Sequence, residues 1–408
     1  CGTGSYFDFA ALMPTSLYPQ RLGEPFAAAL KDVVRHAVVQ AESHIRTPEA
    51  AEQMIAAGHT DMVSIVRGQI ADPHLVAKAR RGAAGEVRPC ISCNQLCWGR
   101  RSRDYWISCL VNPSAGREFE WGGDRFEPAA DPRRVLVVGG GPGGLETARV
   151  AAERGHVVTL LEAKDQLGGQ WRLAGLQPSR GQILDHLAWY EDELARLGVD
   201  VRCSQRVAAV AAVAAFAADC VVVAVGAEPA RAGFQRAHRL PERLPGIDGE
   251  RVASIDDVLD ERVRPDGGVV LLDDLGDWRG IGTAMFLQER GCEVTLVTSG
   301  AAAAAGLFHS AADGPARQRF ARAGGDVVTS TVVLAWTGDG AMLRSTLTGT
   351  ETLRGADWLV VAETPVARTA LAAELNAAGI AHHAIGDCVA PRRASLAIYE
   401  ARRLARSL

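Results

Sequence analysis

The run Val135-Leu136-Val137-Val138 passes directly into Gly139-Gly140-Gly141-Pro142-Gly143-Gly144 and a helical segment, followed by a second apolar run from Val157 to Leu161 that ends on Glu162. Strand, glycine turn, helix, strand and terminal acid in this order form the fingerprint of a dinucleotide-binding βαβ unit. Each part has a physical task. Gly139 permits the tight turn, Gly141 lets a pyrophosphate approach the amino end of the helix, and Gly144 allows close packing of helix on strand. Glu162 is placed to accept from a ribose hydroxyl. A lone GxGxxG is weak evidence, whereas one with all its flanks is strong; the alternative is a glycine turn without a ligand.

A second unit of the same kind interrupts the first. Cys220 to Val225 reads as a strand ending at Gly226-Ala227-Glu228-Pro229, and Ala384-Ile385-Gly386-Asp387 closes another strand before a final helix. Asp387 either caps that helix or faces the ligand of the first unit. Between them, Gly268 to Leu272 reads as a strand, Thr283 to Gln288 as a helix and Glu293 to Val297 as a strand. The turn of this inserted unit is Asp273-Asp274-Leu275-Gly276-Asp277-Trp278-Arg279-Gly280, where a nicotinamide site needs glycines. Each carboxylate there repels a pyrophosphate by about 1 kcal/mol even in water. Thr298 and Ser299 stand where an acidic ribose partner is expected, so the fold persists while the ligand site looks degraded.

Four of the nine cysteines form a group: Cys90-Ile-Ser-Cys93-Asn-Gln-Leu-Cys97, then Cys109. In a cytosolic setting such a group points to metal rather than to disulfides. Four thiolates complete either a tetrahedral zinc site or an iron–sulfur cube. Three thiols from one loop and a fourth from downstream favour the cube, because zinc ribbons pair two separate knuckles. Trp98, Arg100, Arg101, Arg103, Tyr105 and Trp106 surround the group, most simply as a solvated basic loop with aromatic anchors and alternatively as a surface for electron exit. His382 and His383 lack companion ligands.

Ahead of the cysteines, Ala37 to Ala41 and Asp61 to Val66 read as short buried parallel strands, with a helix opened by Thr47 and Pro48 between them and another beginning at Asp72-Pro73. This is a β-α-β-α series whose strand-end loops carry Ser43, His44, Arg67 and Gly68. In an eight-fold barrel such loops build the active site and the last two often hold phosphate. An arginine fork beside a bare glycine backbone suits that task; a solvent-facing arginine is the plainer alternative.

A net charge of −4 gives no electrostatic case for nucleic acid. No uncharged apolar run of about 18 residues spans a membrane, and no signal-peptide profile opens the chain, so a cytoplasmic protein is expected.

The order of these parts resembles the iron–sulfur flavoprotein branch of the old yellow enzyme family, which includes trimethylamine dehydrogenase, histamine dehydrogenase and 2,4-dienoyl-CoA reductase. The carriers are Ala71-Asp72-Pro73-His74-Leu75, Cys90-Ile91-Ser92-Cys93-Asn94-Gln95, Ser108-Cys109-Leu110-Val111-Asn112-Pro113, Gly168-Gly169-Gln170 and Ile385-Gly386-Asp387. The stretches around Arg88 to Trp106 and Asp273 to Gly282 are most similar to the dimethylglycine and N-methylproline demethylase group. The implied fold is α/β: the C-terminal part of a TIM barrel with an iron–sulfur loop segment, followed by two interleaved Rossmann-like dinucleotide-binding domains. The expected divisions are 1–86 for the barrel end, 87–128 for the cluster segment, 129–262 and 363–408 for the FAD domain, and 263–362 for the inserted NAD-like domain.

By the same resemblance, Ser43, His44, Arg67 and Gly68 hold FMN. Cys90, Cys93, Cys97 and Cys109 hold a [4Fe–4S] cluster. Gly139, Gly141, Gly144, Glu162, Gly169, Gln170, Gly386 and Asp387 hold FAD, or ADP in its place. Tyr6 and Asp8 follow what looks like the sixth barrel strand and are candidates for the substrate face, against the plainer reading of a loop tyrosine and a helix cap. The implied reaction is oxidation of a small-molecule methylated amine with electrons leaving by way of the cluster to an electron-transfer protein; a homo-oligomer is compatible with it. The alternatives are an NAD(P)H-dependent 2,4-dienoyl-CoA or enoate reductase and a non-catalytic FAD/iron–sulfur relay fragment. The chain opens on Cys1, and fewer than 90 residues precede Cys90 where a full barrel takes about 250. An incomplete barrel is therefore expected, with most catalytic side chains upstream.

Overall fold

The computed structural model describes Gly4 and residues 8–207, 209–238 and 243–408; Tyr6 lies outside the described residues. The chain divides into two compact units, one taking in the chain up to Arg172 with 182–227 and 367–408, the other 173–181 and 228–366.

The first unit begins with the barrel-type segment. Strands β1 (Gln40–Ala41) and β2 (Met62–Val63) pair in parallel, Gln40 against Met62. The helix between them, Pro48–Ala56, is capped by the Thr47 hydroxyl, which accepts from the Ala50 amide. Ala41, Ile45, Ala51 and Met54 bury their apolar faces together. The strands are shorter than the apolar runs suggest, because side chains take over the ladder. Asp61 accepts from the Val39 amide, and the Thr60 hydroxyl donates to the Val39 carbonyl. Val66 already opens the helix Val66–Ala71, so Arg67 and Gly68 lie in its first turn rather than in a strand-end loop.

The same unit carries a five-stranded parallel sheet. Its strands are β3 (Arg134–Val138), β4 (Val157–Leu161), β5 (Asp200–Arg202), β6 (Cys220–Val223) and the terminal strand His383–Ala384. The order is terminal strand, β6, β3, β4, β5. The chain runs outward from β3 through β4 to β5 on one side and returns through β6 on the other, so the topological switch point lies at the carboxyl end of β3, where dinucleotides bind in open sheets of this kind. Leu136, Val138, Leu161, Val221 and Val223 form the core of one face. Each such side chain contributes about 1.5–3 kcal/mol on full burial.

The second unit holds another five-stranded parallel sheet in the order Asp326–Val328, Glu293–Val297, Gly268–Asp273, Trp358–Ala362, Val252–Ser254. A three-stranded antiparallel sheet (Thr331–Trp336, Gly340–Ser345, Glu351–Gly355) packs Val333, Trp336 and Leu343 against Val270, Leu272 and Leu359. No helix among the described residues is long and apolar enough to cross a membrane.

Candidate functional site

Cys90, Cys93, Cys97 and Cys109 line one small pocket, walled by Ile91, Leu96 and Leu110 and bordered by Arg67. The loop reaches this shape because Ser92 and Asn94, on either side of Cys93, are both left-handed (φ 52° and 53°). The reversals turn the Ser92 amide towards the Cys90 sulfur, 3.4 Å away. Cys97 stands at the amino end of the short helix Trp98–Arg101, and the Ser108 amide bonds the Leu96 carbonyl, which brings Cys109 back to the loop. Burial and the mutual repulsion of the thiolates push Cys109 up to about 12, and Cys93 and Cys97 are also raised. A bound cation would favour the thiolate form of these three cysteines. Among the described residues no three His, Cys, Asp or Glu side chains converge as ligands of one ion. The donor set, four cysteines around one pocket, fits a thiolate-bound metal centre.

The barrel-type loops are fastened to this loop. Ser43 and His44 are both left-handed (φ 78° and 61°), and His44 is buried. The His44 Nδ1 meets the Pro19 carbonyl at 2.8 Å and must carry the proton, so Nε2 accepts from the Ser92 hydroxyl at 2.6 Å. Burial and the nearby Arg67 cation lower His44 to about 4, keeping it neutral near pH 7. Arg46 donates from Nε to the Cys90 carbonyl, 2.6 Å. The Arg67 guanidinium donates to the Pro14 carbonyl and to Asn94 Oδ1, 2.7 and 2.6 Å. Gly68 has a packing reason of its own, since a Cβ there would lie 2.8 Å from the Arg46 carbonyl oxygen. Asp8 caps the helix Phe9–Leu12, accepting from the Ala11 amide. Arg46 and the cavity-facing role of Arg67 were not readable in advance; each has one partner in the cysteine loop, Cys90 and Asn94 respectively.

At the carboxyl end of β3 the three glycines divide the work. Gly139 is left-handed (φ 111°), with its missing side chain pressed against the Ala224 carbonyl. A Cβ on Gly144 would overlap the Gly139 carbonyl oxygen. Gly141, the cap of the helix Pro142–Glu153, has open space where a Cβ would be. That space beside free helix amides is the cradle a pyrophosphate requires. Glu162 accepts from the Gly140 amide at 2.7 Å and from the Lys164 amide at 2.8 Å, and a carboxylate retains lone pairs beyond two bonds. Gly169 approaches the cradle from the opposite side, where a Cβ would lie 3.6 Å from Gly141 Cα, and Gln170 opens the next helix. Gly386 donates to Glu400, and Asp387 accepts from the Arg392 amide. Ile385, next to them, packs at the Gly143 end of the same crevice.

The corresponding turn in the second unit is filled by its own residues. Asp273 Oδ1 accepts from the Leu275 and Gly276 amides at 3.0 and 2.9 Å, and a Cβ on Gly280 would overlap its carboxyl. The Gly306 amide bonds the Gly276 carbonyl and brings a loop over the turn. The residues present do not fit a nicotinamide dinucleotide. Burial pushes Asp273 from 3.8 up to about 7. The native state therefore holds this proton more tightly than the unfolded chain does, and stability falls as pH rises through that window. Asp273→Asn is expected to melt several degrees above the parent at pH 8, at about 2–4 °C per kcal/mol. The gap should narrow at pH 5, and melting curves at the two pH values check it.

The profile of the pyridine nucleotide-disulphide oxidoreductase family matches residues 122–243. The N,N-dimethylglycine/sarcosine dehydrogenase of Chromohalobacter salexigens is 34% identical over an alignment of 448 positions that takes in 99% of this chain and 62% of that protein. The NADH oxidase of Thermoanaerobacter brockii is 38% identical across 70% of this chain and 43% of its own length. Among solved structures, the 6-hydroxypseudooxynicotine amine oxidase of Pseudomonas geniculata superposes with a TM-score of 0.92 at 28% identity, covering 98% of this chain and 60% of that one. The chain thus spans at most about three fifths of the length of these proteins. Matched in this way almost from end to end, it fits the iron–sulfur flavoprotein branch of the old yellow enzyme family, the branch that its cysteine and glycine motifs resemble.

Proposed function

We propose that the chain is part of an iron–sulfur flavoprotein oxidoreductase that oxidatively demethylates a methylated amine or amino acid of the dimethylglycine or N-methylproline type. The observation that carries this reading is the cavity of four thiols fastened to barrel-type loops, in a chain aligned over 99% of its length with an N,N-dimethylglycine/sarcosine dehydrogenase. When bound, FMN supplies two-electron oxidation of an N-methyl group to an imine, which water converts to formaldehyde and the demethylated amine, and a [4Fe–4S] cluster supplies one-electron release.

In this reading Cys90, Cys93, Cys97 and Cys109 ligate the cluster, and Ser43, His44, Arg67 and Gly68 border the FMN phosphate. Arg67 would then serve both, because it lines the cysteine pocket and its guanidinium reaches Asn94. Gly139, Gly141 and Gly144 shape the seat of FAD or ADP, with Glu162, Gly169, Gln170, Gly386 and Asp387 around it. Tyr6 and Asp8 are assigned to the substrate face on sequence position alone. The sequence divisions 1–86, 87–128, 129–262, 263–362 and 363–408 serve as the domain plan, with the difference that residues 228–262 and their strand Val252–Ser254 fall in the second compact unit. An electron-transfer protein is the acceptor. The exposed Tyr105 and Trp106, with Arg100, Arg101 and Arg103 between Cys97 and Cys109, offer it a face beside the thiols. A cytoplasmic setting suits thiols that must stay reduced.

The likeness to an NADH oxidase over 70% of the chain favours a second reading, a nicotinamide-dependent reductase of enoates or dienoyl thioesters; the self-filled Asp273 turn opposes it. The two separate on products. Protein produced from its full coding sequence, given an N-methylated amino acid and an artificial one-electron acceptor, is expected to release formaldehyde in step with acceptor reduction. Acceptor reduction without formaldehyde contradicts demethylation.

A further inference from the structure

Behind the cysteine loop lies a wholly buried ionic network. Arg402, on the last helix Ala394–Ala405, is 0% exposed. Its Nε donates to Glu146 at 2.6 Å. Its Nη1 donates to Asn112, Ser114 and Asp124 at 2.8, 2.9 and 2.8 Å. Glu146, on the helix that follows the glycine turn, is also held by both nitrogens of the Arg149 fork and by the Tyr190 hydroxyl. Asp124 accepts in turn from Arg88 at 2.8 Å. Three buried guanidiniums thus face two buried carboxylates, with Glu153 at the rim on Arg149. Arg402 Nη2 and Arg88 Nε find no hydrogen-bond partner among the described residues. His186, packed on Tyr190, is driven down to about 3 by burial and the arginines, so it adds no charge near pH 7.

The network's position along the chain is what gives it meaning. Arg88 stands two residues before Cys90, and Asn112 three residues after Cys109. The two ends of the cysteine segment are therefore tied through one guanidinium to the helix of the glycine turn. Replacing such a buried network by apolar residues often costs nothing or stabilises, so stability alone does not account for it.

We propose that Arg402 is a positioning residue for the four-thiolate cluster and that Arg402 and Glu146 bias its reduction potential in opposite directions. This rests on the reading that the four cysteines hold a cluster. The physics is simple. Four thiolates give the cluster a negative charge that grows by one on reduction, so a fixed buried cation nearby favours the reduced form and a fixed anion opposes it. Three residues span at most about 10 Å, and a unit charge roughly 10–15 Å away at an effective dielectric near 20 changes a one-electron equilibrium by about six- to sixteenfold.

The test is a potentiometric titration of the purified holoprotein followed by electron paramagnetic resonance of the reduced cluster. Arg402→Gln is expected to lower the midpoint by about tenfold in the oxidised-to-reduced ratio, about 59 mV. Glu146→Gln is expected to raise it by a similar step, and Arg402→Lys to stay close to the parent. A merely structural joint does not produce shifts of opposite sign. If Arg402→Gln fails to fold, Glu146→Gln alone decides: an upward shift supports the proposal, and no shift or a downward one overturns it. Unmoved midpoints in variants that retain the cluster overturn the proposal while leaving the cluster intact. A parent protein without iron, sulfide or a reduced-state signal overturns the four-cysteine reading and the proposal with it.

Discussion

Cys93→Ala is expected to empty the cysteine cavity, with iron and acid-labile sulfide falling from about four of each per chain to well below one. Cys93 is held between two left-handed residues in the cavity that the other three thiols share. Among the described residues no other sulfur can replace it, because Cys203, Cys220, Cys292 and Cys388 belong to other elements and none of them lines that cavity. A missing corner leaves one iron open to solvent and oxidant. The protein is expected to lose stability as well, since metal binding free energy is folding free energy wherever the site does not preform in the unfolded chain. Iron and sulfide analysis with a thermal melt of parent and variant checks both parts. Full iron content in Cys93→Ala removes Cys93 from the ligand set.

The second large effect separates two glycines only three positions apart. Gly144→Ala places a methyl where the Gly139 carbonyl oxygen already is, and that oxygen belongs to backbone that cannot rotate away. The turn must open, at a cost of about 1–3 kcal/mol, and a clear drop in melting temperature is expected. Gly141→Ala meets nothing within 4 Å, and its backbone is extended, so the fold should stay within about 0.5 kcal/mol of the parent. The added methyl instead fills the space that a pyrophosphate needs. Flavin retention through gel filtration is expected to fall at least tenfold in Gly141→Ala while its melt without flavin stays unchanged. A Gly141→Ala protein that keeps its flavin shows that the open space beside the helix amides is not the dinucleotide seat.

Whatever local sterics dictate could be read in the sequence, and whatever depends on distant partners could not. The glycine turn was legible because each glycine answers a short-range demand: a left-handed turn at Gly139, open space at Gly141, contact with a carbonyl at Gly144. The cysteine spacing was legible for the same reason. Arg402 gave no local signal, since its partners Glu146 and Asn112 stand 256 and 290 positions away. Arg46 was equally silent until Cys90 came to lie against it. The short barrel strands depart from their apolar runs because Thr60 and Asp61 replace ladder bonds with side-chain bonds, a choice that periodicity does not report. The acidic turn of the inserted unit was legible as hostile to phosphate, but not that Asp273 folds back on its own turn and is buried there.

Electrons flow outward from the methylated amine in this reading, and anaerobic reduction is the sharpest check of that direction. Protein produced from its full coding sequence and freed of oxygen is mixed first with an N-methylated amino acid such as N,N-dimethylglycine, then in a separate sample with NADH or NADPH, while flavin absorbance is followed. Bleaching by the methylated amine is expected, with no comparable bleaching by either nicotinamide. Rapid bleaching by NADH or NADPH with none by the amine reverses the direction and establishes the reductase reading.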